Sequence, residues 1–171
     1  MQVVDMKKSH LEGAVETVRA HSGEFFYEKE VEAARARFET MLMDRDGAGP
    51  VVSCGDVTMG RQLVAVEGDR VLGTMGYLAE AGARDAYRLS YVAVHPDATR
   101  KGVGRRLWQA VLEDLKARGG RLVHTWTSPL PYTAGPRAFY ESLGFKCVAI
   151  VPNHWDDGDD LAIFAIRIDG G

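Results

Sequence analysis

The sequence lacks the features that would place it in a membrane or build it around metals or disulfides. No apolar run approaches the roughly 20 residues that span a bilayer, so we expect no membrane partner. Two cysteines occur, Cys54 and Cys147; neither lies in a metal-ligand spacing, so we expect reduced thiols and no metal site. The first residues lack the basic start and apolar block of a signal peptide, which favours a cytoplasmic location.

A strong excess of charge of one sign is also missing. The chain carries 21 lysines and arginines against 24 acidic residues, a net charge of −3. We therefore expect no nucleic-acid partner. Repeats and low-complexity linkers are absent as well, and 171 residues suffice for one sizeable core, so residues 1–171 are expected to form a single domain.

Hydrophobic periodicity and turn residues predict both helices and strands. Helices are expected at 9–20 with Ser9 as N-cap, across Val31–Leu42 and ending before Asp46, from Val103 to the Gly119-Gly120 pair, and at Pro136–Leu143 with Pro136 first. Strands are expected at Val3–Val4, Gln62–Val66, Val71–Leu78, Arg88–Val94, Leu122–Thr127, Lys146–Val151 and Leu161–Ile168, with a loop over 44–60 that includes a short strand at Val51–Val52. The helix between the fourth and fifth long strands implies a parallel, right-handed crossover, so the fold class is α/β (α+β) with a mixed sheet.

The stretch that follows the strand ending at Pro96 has the pattern of a phosphate-binding turn. Gly102 and Gly104 allow a ligand to approach the backbone, and the free N–H groups of the next helical turn point towards it. Four cations crowd this helix start, where the helix dipole disfavours them: Arg100, Lys101, Arg105 and Arg106. A polyanionic ligand would explain them, although an ordinary strand-to-helix turn with a solvated basic rim is the alternative. The pattern is neither a Walker loop nor a full dinucleotide motif.

Two motifs about 35 residues apart resemble those of the GNAT superfamily of N-acetyltransferases, and the resemblance extends over nearly the whole chain. The first is Val94-His95-Pro96 followed by Thr99-Arg100-Lys101-Gly102-Val103-Gly104, and the second is Phe139-Tyr140 ahead of Gly144-Phe145. Thr99 departs from the family pattern, which usually has Gln or Arg there. The resemblance implies a mostly antiparallel sheet flanked by about four helices, with the parallel crossover at the cofactor site.

The same resemblance implies acetyl-CoA as cosubstrate and assigns residues to it. The phosphate-binding segment would comprise Arg100, Lys101, Gly102, Val103, Gly104 and Arg105, and the backbone of Val92 and Val94 would pair with the pantetheine arm like an added strand. Tyr140 would be the catalytic residue, donating a hydrogen bond or a proton to the CoA sulfur. The alternative for Tyr140 is simple packing beside Phe139 and Phe145. The family often forms homodimers, and an exposed sheet edge offers a surface for this.

The sequence leaves the general base open. Glu80 at a strand end, Tyr91 ahead of the loop and His124 in the fifth long strand are candidates, and a water chain to solvent is a further one. His95 precedes a proline and is expected to serve the turn.

The acceptor pocket is expected between the N-terminal helices and the last hairpin. Aromatic residues lie in these neighbourhoods, and such walls suit cationic or flat acceptors. They are Phe25, Phe26, Tyr27, Trp126, Tyr132, His154 and Trp155. The nearby acids Asp156, Asp157, Asp159 and Asp160 could attract an amine, but a polar hairpin turn is the favoured interpretation.

These expectations combine into an acetyl-CoA-dependent N-acetyltransferase. The acceptor would be a primary amine that attacks directly in a ternary complex, and it could belong to a small amine, an amino-acid-like metabolite or a peptide N-terminus. Alternatives are a non-catalytic CoA-binding regulatory module, an acyltransferase for a longer acyl-CoA, and a site for a nucleotide other than CoA.

Overall fold

The computed structural model describes residues 1–21, 28–43, 52–53, 56–57 and 60–170. Its strands are β1 (Gln2–Asp5), β2 (Val52–Ser53), β3 (Asp56–Val57), β4 (Gly60–Glu67), β5 (Arg70–Ala79), β6 (Ala86–Val94), β7 (Leu122–Thr127), β8 (Lys146–Asp156) and β9 (Asp159–Arg167). Its helices are α1 (Leu11–Arg19), α2 (Glu28–Met43), α3 (Val103–Ala117) and α4 (Ala134–Ser142). None of the helices in these ranges has the length and hydrophobicity of a membrane-spanning segment.

Seven strands form one sheet in the order β1-β4-β5-β6-β7-β9-β8, while β2 and β3 pair separately. Each neighbouring pair of the large sheet is antiparallel except β6 and β7, which are parallel and are connected through α3. The expected mixed, mostly antiparallel sheet with about four helices and a parallel crossover is therefore confirmed.

The helices cover both faces of the sheet. On one face, Val15 of α1 and Phe38 of α2 are fully buried against Val64 and Val71. On the other face, Leu107 of α3 packs in a second cluster with residues of the central strands and of α4. The two apolar faces hold the sheet between helical layers, as expected for a domain with helices on a sheet.

Two predictions about helix starts are wrong. Ser9 is not an N-cap, because Lys8–His10 forms a 3₁₀ turn and α1 begins only at Leu11. The ring of His10 accepts a hydrogen bond from the N–H of Lys7, 3.2 Å away, and closes that turn.

Pro136 is the third residue of α4 and not the first, since α4 begins at Ala134. The first N–H groups of a helix have no partner within it, so a proline in the third position removes no helical hydrogen bond. A second proline, Pro131, starts the 3₁₀ turn that leads into α4.

The other predicted elements are confirmed, most with small shifts of their ends, but β8 continues to Asp156, well beyond the predicted end at Val151. The short strand expected near 51 is described at Val52–Ser53, while Cys54 lies outside the described residues. Cys147 is a free, exposed thiol. It lies on β8, the exposed edge strand of the sheet, and homodimerisation through such an edge stays a prediction.

A charged network ties the C-terminal half of α3 to the sheet. Asp114 of α3 accepts a hydrogen bond from the hydroxyl of Tyr77 and lies 2.6 Å from Nη1 of Arg61 and 3.2 Å from Nε of Arg118. Burial alone would raise the pKa of Asp114, but the hydrogen bonds from Tyr77, Arg61 and Arg118 outweigh it and lower the pKa. The ionised carboxylate therefore stabilises the folded state.

Replacing Asp114 with asparagine is expected to lower the free energy of unfolding by about 1–3 kcal/mol, because a partly buried charge-assisted network loses its anion. The lowered pKa means that this contribution is present above about pH 4 and is lost as the pH falls through the folded-state pKa. Urea unfolding of both proteins at neutral and acidic pH measures the difference.

The matched control is Asp169→Asn, which removes the carboxylate from the ion pair between Asp169 and Arg167. This pair lies at the surface, since the side chain of Arg167 is 65% exposed. We expect a change within about 0.5 kcal/mol there. Equal losses in the two variants would contradict a special role for Asp114.

Candidate active site

A cleft opens where β6 and β7 separate. Their parallel pairing covers only Ala86–Arg88 opposite Leu122–His124. Beyond that point, β6 stays paired with β5 as far as Val94, and β7 stays paired with β9 as far as Thr127. The backbone edges of the two strands therefore face each other across a gap in the middle of the sheet.

A β-bulge in β6 accompanies the separation. The register between β5 and β6 shifts between Thr74 and Gly76, and Tyr91 has a φ of +44°. Buried Gln62 supports the bulge: its Nε2 donates to Oγ1 of Thr74 at 2.7 Å and to the carbonyl of Tyr91 at 3.4 Å. Bulges bend the bulged strand and turn its side chains, which widens the gap. The sequence analysis missed Gln62, because only the tertiary pairing brings it beside β6.

A cavity of about 940 Å³ follows this gap. Eight of the nine predicted site residues line it: Tyr140, Val92, Val94, Arg100, Gly102, Val103, Gly104 and Arg105. Lys101 does not line the cavity, and its side chain is exposed. The predicted residues thus come together, although 46 positions separate Tyr140 from Val94 along the chain.

The cavity reaches both faces of the sheet. Side chains alternate between the faces of a strand. Leu89 and Val123 belong to the core that α3 covers, so their neighbours Arg88 and His124 point to the face that carries α1 and α2. Glu30 and Arg37 of α2 also line the cavity. We call the two sides of the cavity the α3 face and the α2 face.

The α3 face presents a helix start suited to an anion. Gly102 is the N-cap of α3 with a φ of +78°, and a Cβ at that position would meet no atom within 4 Å. No acidic residue lies in the first turn of α3. Within the described part of the chain, the N–H groups of Val103, Gly104 and Arg105 have no hydrogen-bond partner. This cradle fits the diphosphate that the motif implies.

Gly104 is required for a close approach between α3 and α4. A Cβ at Gly104 would lie 3.0 Å from Cε2 of Phe139 and 3.6 Å from Cγ2 of Val94. The ring of Phe139 therefore packs directly on the backbone of the helix start, and a larger residue would push the two helices apart.

The loop before α3 is organised by short-range contacts. Nδ1 of His95 accepts a hydrogen bond from the N–H of Asp97 at 3.3 Å, which agrees with the expectation that His95 serves the turn. Oγ1 of Thr99, the residue that departs from the family pattern, donates to the carbonyl of Pro96 at 2.8 Å. Thr99 lines the cavity as well.

A histidine that the sequence analysis did not consider contacts the predicted pantetheine segment. Nε2 of His21 lies 2.8 Å from the carbonyl oxygen of Val94. A ligand pairing with that carbonyl would share it with His21, which the second lone pair of a carbonyl oxygen permits.

Tyr140 is buried between aromatic rings and reaches the cavity. Its ring centroid lies 5.7 Å from that of Phe139 and 5.8 Å from that of Phe145, so the packing interaction is present. Burial raises the pKa of Tyr140, and a hydrogen bond with the side chain of Thr125 opposes this only in part. The phenol is therefore protonated at neutral pH and has an O–H group available to donate.

The candidate bases differ in position. Tyr91 lines the cavity, but burial raises its pKa and keeps it protonated. Glu80 and His124 are not among the lining residues and pair with each other, with Oε1 of Glu80 at 3.2 Å from Nε2 of His124. Burial lowers the pKa of His124, while Glu80 opposes the shift, so the imidazole is neutral at pH 7.

Three exposed aromatic residues of the predicted acceptor pocket line the cavity: Trp126, Tyr132 and Trp155. His154 does not line it, and 25–27 lie outside the described residues. Among the four acids, Asp159 lines the cavity and accepts hydrogen bonds from Tyr132 and from Ser128, while Asp156 and Asp159 pair at the end of the β8–β9 hairpin.

Known proteins share this architecture. The model of the acetyltransferase (GNAT) domain family matches residues 59–147. The [ribosomal protein bS18]-alanine N-acetyltransferase of Salmonella typhimurium is 34% identical over 87 residues, which are 49% of this chain and 57% of that protein. The chain thus matches little more than half the length of this curated relative.

Solved structures match over the whole chain. A protein assigned to the GNAT acetyltransferases from Desulfovibrio desulfuricans superposes with a TM-score of 0.85 at 25% identity, covering 98% of both chains. An aminoglycoside 6'-N-acetyltransferase, crystallised with coenzyme A, superposes with a TM-score of 0.77 at 17% identity, covering 100% of this chain and 99% of that one. Since the family model spans about half of the sequence, including the bulged strand, the start of α3 and Tyr140, this chain belongs to the GNAT acetyltransferase family.

Proposed function

We propose that this protein transfers an acetyl group from acetyl-CoA to a primary amine by direct attack in a ternary complex. The observation that carries the proposal is the cavity in the gap between β6 and β7, which joins the open start of α3 to the hydroxyl-bearing Tyr140 and continues to the α2 face. A thioester bound from the α3 face and an amine entering from the α2 face would meet inside the sheet.

In the reaction, the amine nitrogen attacks the thioester carbonyl carbon, the new C–N bond forms, the C–S bond breaks, and the proton lost by nitrogen balances the one gained by sulfur. The chain contributes mainly positioning, which lowers the entropic part of the barrier. The free N–H groups of Val103, Gly104 and Arg105 hold the diphosphate, with Arg100 and Arg105 adding charge. The backbone of Val92 and Val94 aligns the extended arm along the gap.

Tyr140 stabilises the departing thiolate. Its raised pKa keeps the phenol protonated, so it donates a hydrogen bond to the developing negative charge on sulfur. The proton of the amine leaves through water, and the neutral imidazole of His124, paired with Glu80, is a candidate to receive it behind the residues that line the cavity.

The Tyr140→Phe substitution is expected to lower kcat by about 10- to 1,000-fold, because the thiolate loses its hydrogen-bond donor. The affinity for acetyl-CoA should change by less than about 3-fold, since the ring still packs on its aromatic neighbours. Thiol release with an amine acceptor measures kcat, and calorimetric titration measures affinity.

Tyr87→Phe is the control, because Tyr87 packs on Tyr77 and does not line the cavity. An unchanged kcat in Tyr140→Phe would remove Tyr140 from the chemistry and leave only its packing role.

The Gly104→Glu substitution is expected to abolish acetyl-CoA binding in a calorimetric titration. The new side chain collides with Phe139 and adds a negative charge where the diphosphate binds. Gln109→Glu, which adds the same charge at an exposed position on α3, should bind acetyl-CoA as tightly as the unchanged protein.

Circular dichroism distinguishes lost binding from lost folding in Gly104→Glu. Tight binding by that variant would show that the start of α3 is not the diphosphate site. Absence of binding by the unchanged protein would contradict the acetyltransferase proposal as a whole.

A further inference from the structure

The guanidinium group of Arg88 lies on the α2 face of the cavity, and part of its hydrogen-bonding capacity is unsatisfied. It is the last residue of β6 that pairs with β7, and its side chain lines the cavity and is 29% exposed. Its Nε lies 3.1 Å from Oε1 of Glu80. That buried Nε has no hydrogen-bond partner among the described residues, and Glu80 is the one described residue in an ion pair with the guanidinium.

The guanidinium is held in a defined orientation. Its central carbon lies 4.6 Å from the ring centroid of Trp126, so the group stacks on the indole. Glu80 pairs with the guanidinium by charge, without a hydrogen bond to Nε, and Oε1 of Glu80 also lies 3.2 Å from Nε2 of His124. Stacking and the ion pair together leave the Nη edge as a preorganised donor pair, the geometry that matches a carboxylate.

Aromatic side chains line the same cavity, and one of them, Trp126, contacts the guanidinium of Arg88 directly. The residues Trp126, Tyr132 and Trp155 line the same cavity with 38%, 44% and 42% of their surface exposed. Asp159, the acid beside Tyr132, already accepts two hydrogen bonds, from Tyr132 and from Ser128. The cavity therefore offers exposed aromatic rings and a positioned cation to an acceptor.

We propose that Arg88 binds the carboxylate of the acceptor, so that the acceptors are free amino acids with aromatic or large apolar side chains. This inference rests on the proposed acetyl transfer and specifies its substrate class. The product is then an N-acetyl amino acid together with the free thiol of CoA. Arg88 acts on specificity, and the bond changes are those already described.

The test compares matched acceptors at saturating acetyl-CoA. Initial rates of thiol release are measured with L-phenylalanine, L-phenylalaninamide and phenethylamine, and with the pairs L-tyrosine/tyramine and L-leucine/isoamylamine. We expect kcat/KM for each amino acid to exceed that of its carboxylate-free partner by about 10- to 100-fold, the effect of a charge-assisted hydrogen-bonded pair.

Substitution of Arg88 should remove this preference. Arg88→Gln is expected to lower kcat/KM for phenylalanine by about 10- to 100-fold while changing that for phenethylamine by less than about 3-fold. Arg88→Lys keeps the positive charge but not the paired donors, so its kcat/KM for phenylalanine should lie between those of the unchanged protein and Arg88→Gln. Arg84→Gln is the control, since the side chain of Arg84 is 88% exposed and does not line the cavity.

Three results would overturn the inference. The first is a kcat/KM for the amino acids that does not exceed that of their carboxylate-free partners, or no turnover of any amino acid. The second is equal use of phenylalanine and its amide, which would point to a peptide N-terminus. The third is an equal decrease in kcat/KM for all acceptors in both Arg88 variants, which is the result expected if Arg88 has a purely structural role. Calorimetric binding of acetyl-CoA, measured in parallel, separates these results from failure of the proposed function, which would show as absent binding.

Discussion

The early end of the parallel pairing between β6 and β7 is the constraint on which the rest of the site depends. Backbone groups in a sheet are normally satisfied by the neighbouring strand, and here the pairing stops after Arg88 and His124. Each strand keeps its other neighbour, so the sheet stays intact while a gap opens inside it. The bulge at Tyr91, supported by buried Gln62, prevents the strands from closing again.

The gap gives the two faces of one sheet different chemical roles. On the α3 face, the helix start offers unpaired N–H groups and basic side chains, an environment for a polyanion. On the α2 face, Arg88, its partner Glu80 and the exposed ring of Trp126 form a surface of another kind. Tyr140 enters between them from α4. Separation of the two faces allows two ligands to meet without competing for the same surface.

The sequence predicted much of the fold, because local patterns report it directly. The apolar stripe from Val103 onwards marked α3, and β7 was expected with its observed ends. Helix starts were less predictable, since Ser9 and Pro136 have side chains that suit more than one position in a first turn. Arg88 and Gln62 carried no local signal, because a charged or amide residue in a strand reads as solvent-facing until its neighbours are known.

The sequence by itself determined the family, the order of the elements and the position of the cofactor loop, because glycine spacing, capping and hydrophobic period act over a few residues. Only the tertiary structure decided where β6 and β7 part, that Gly104 meets the ring of Phe139, and that Arg88 stacks on Trp126. These contacts join residues 35 or more positions apart, and their partners are set by strand register and helix packing. Local composition does not encode register, so it indicated aromatic candidates for the acceptor side but not the placement of Arg88 among them.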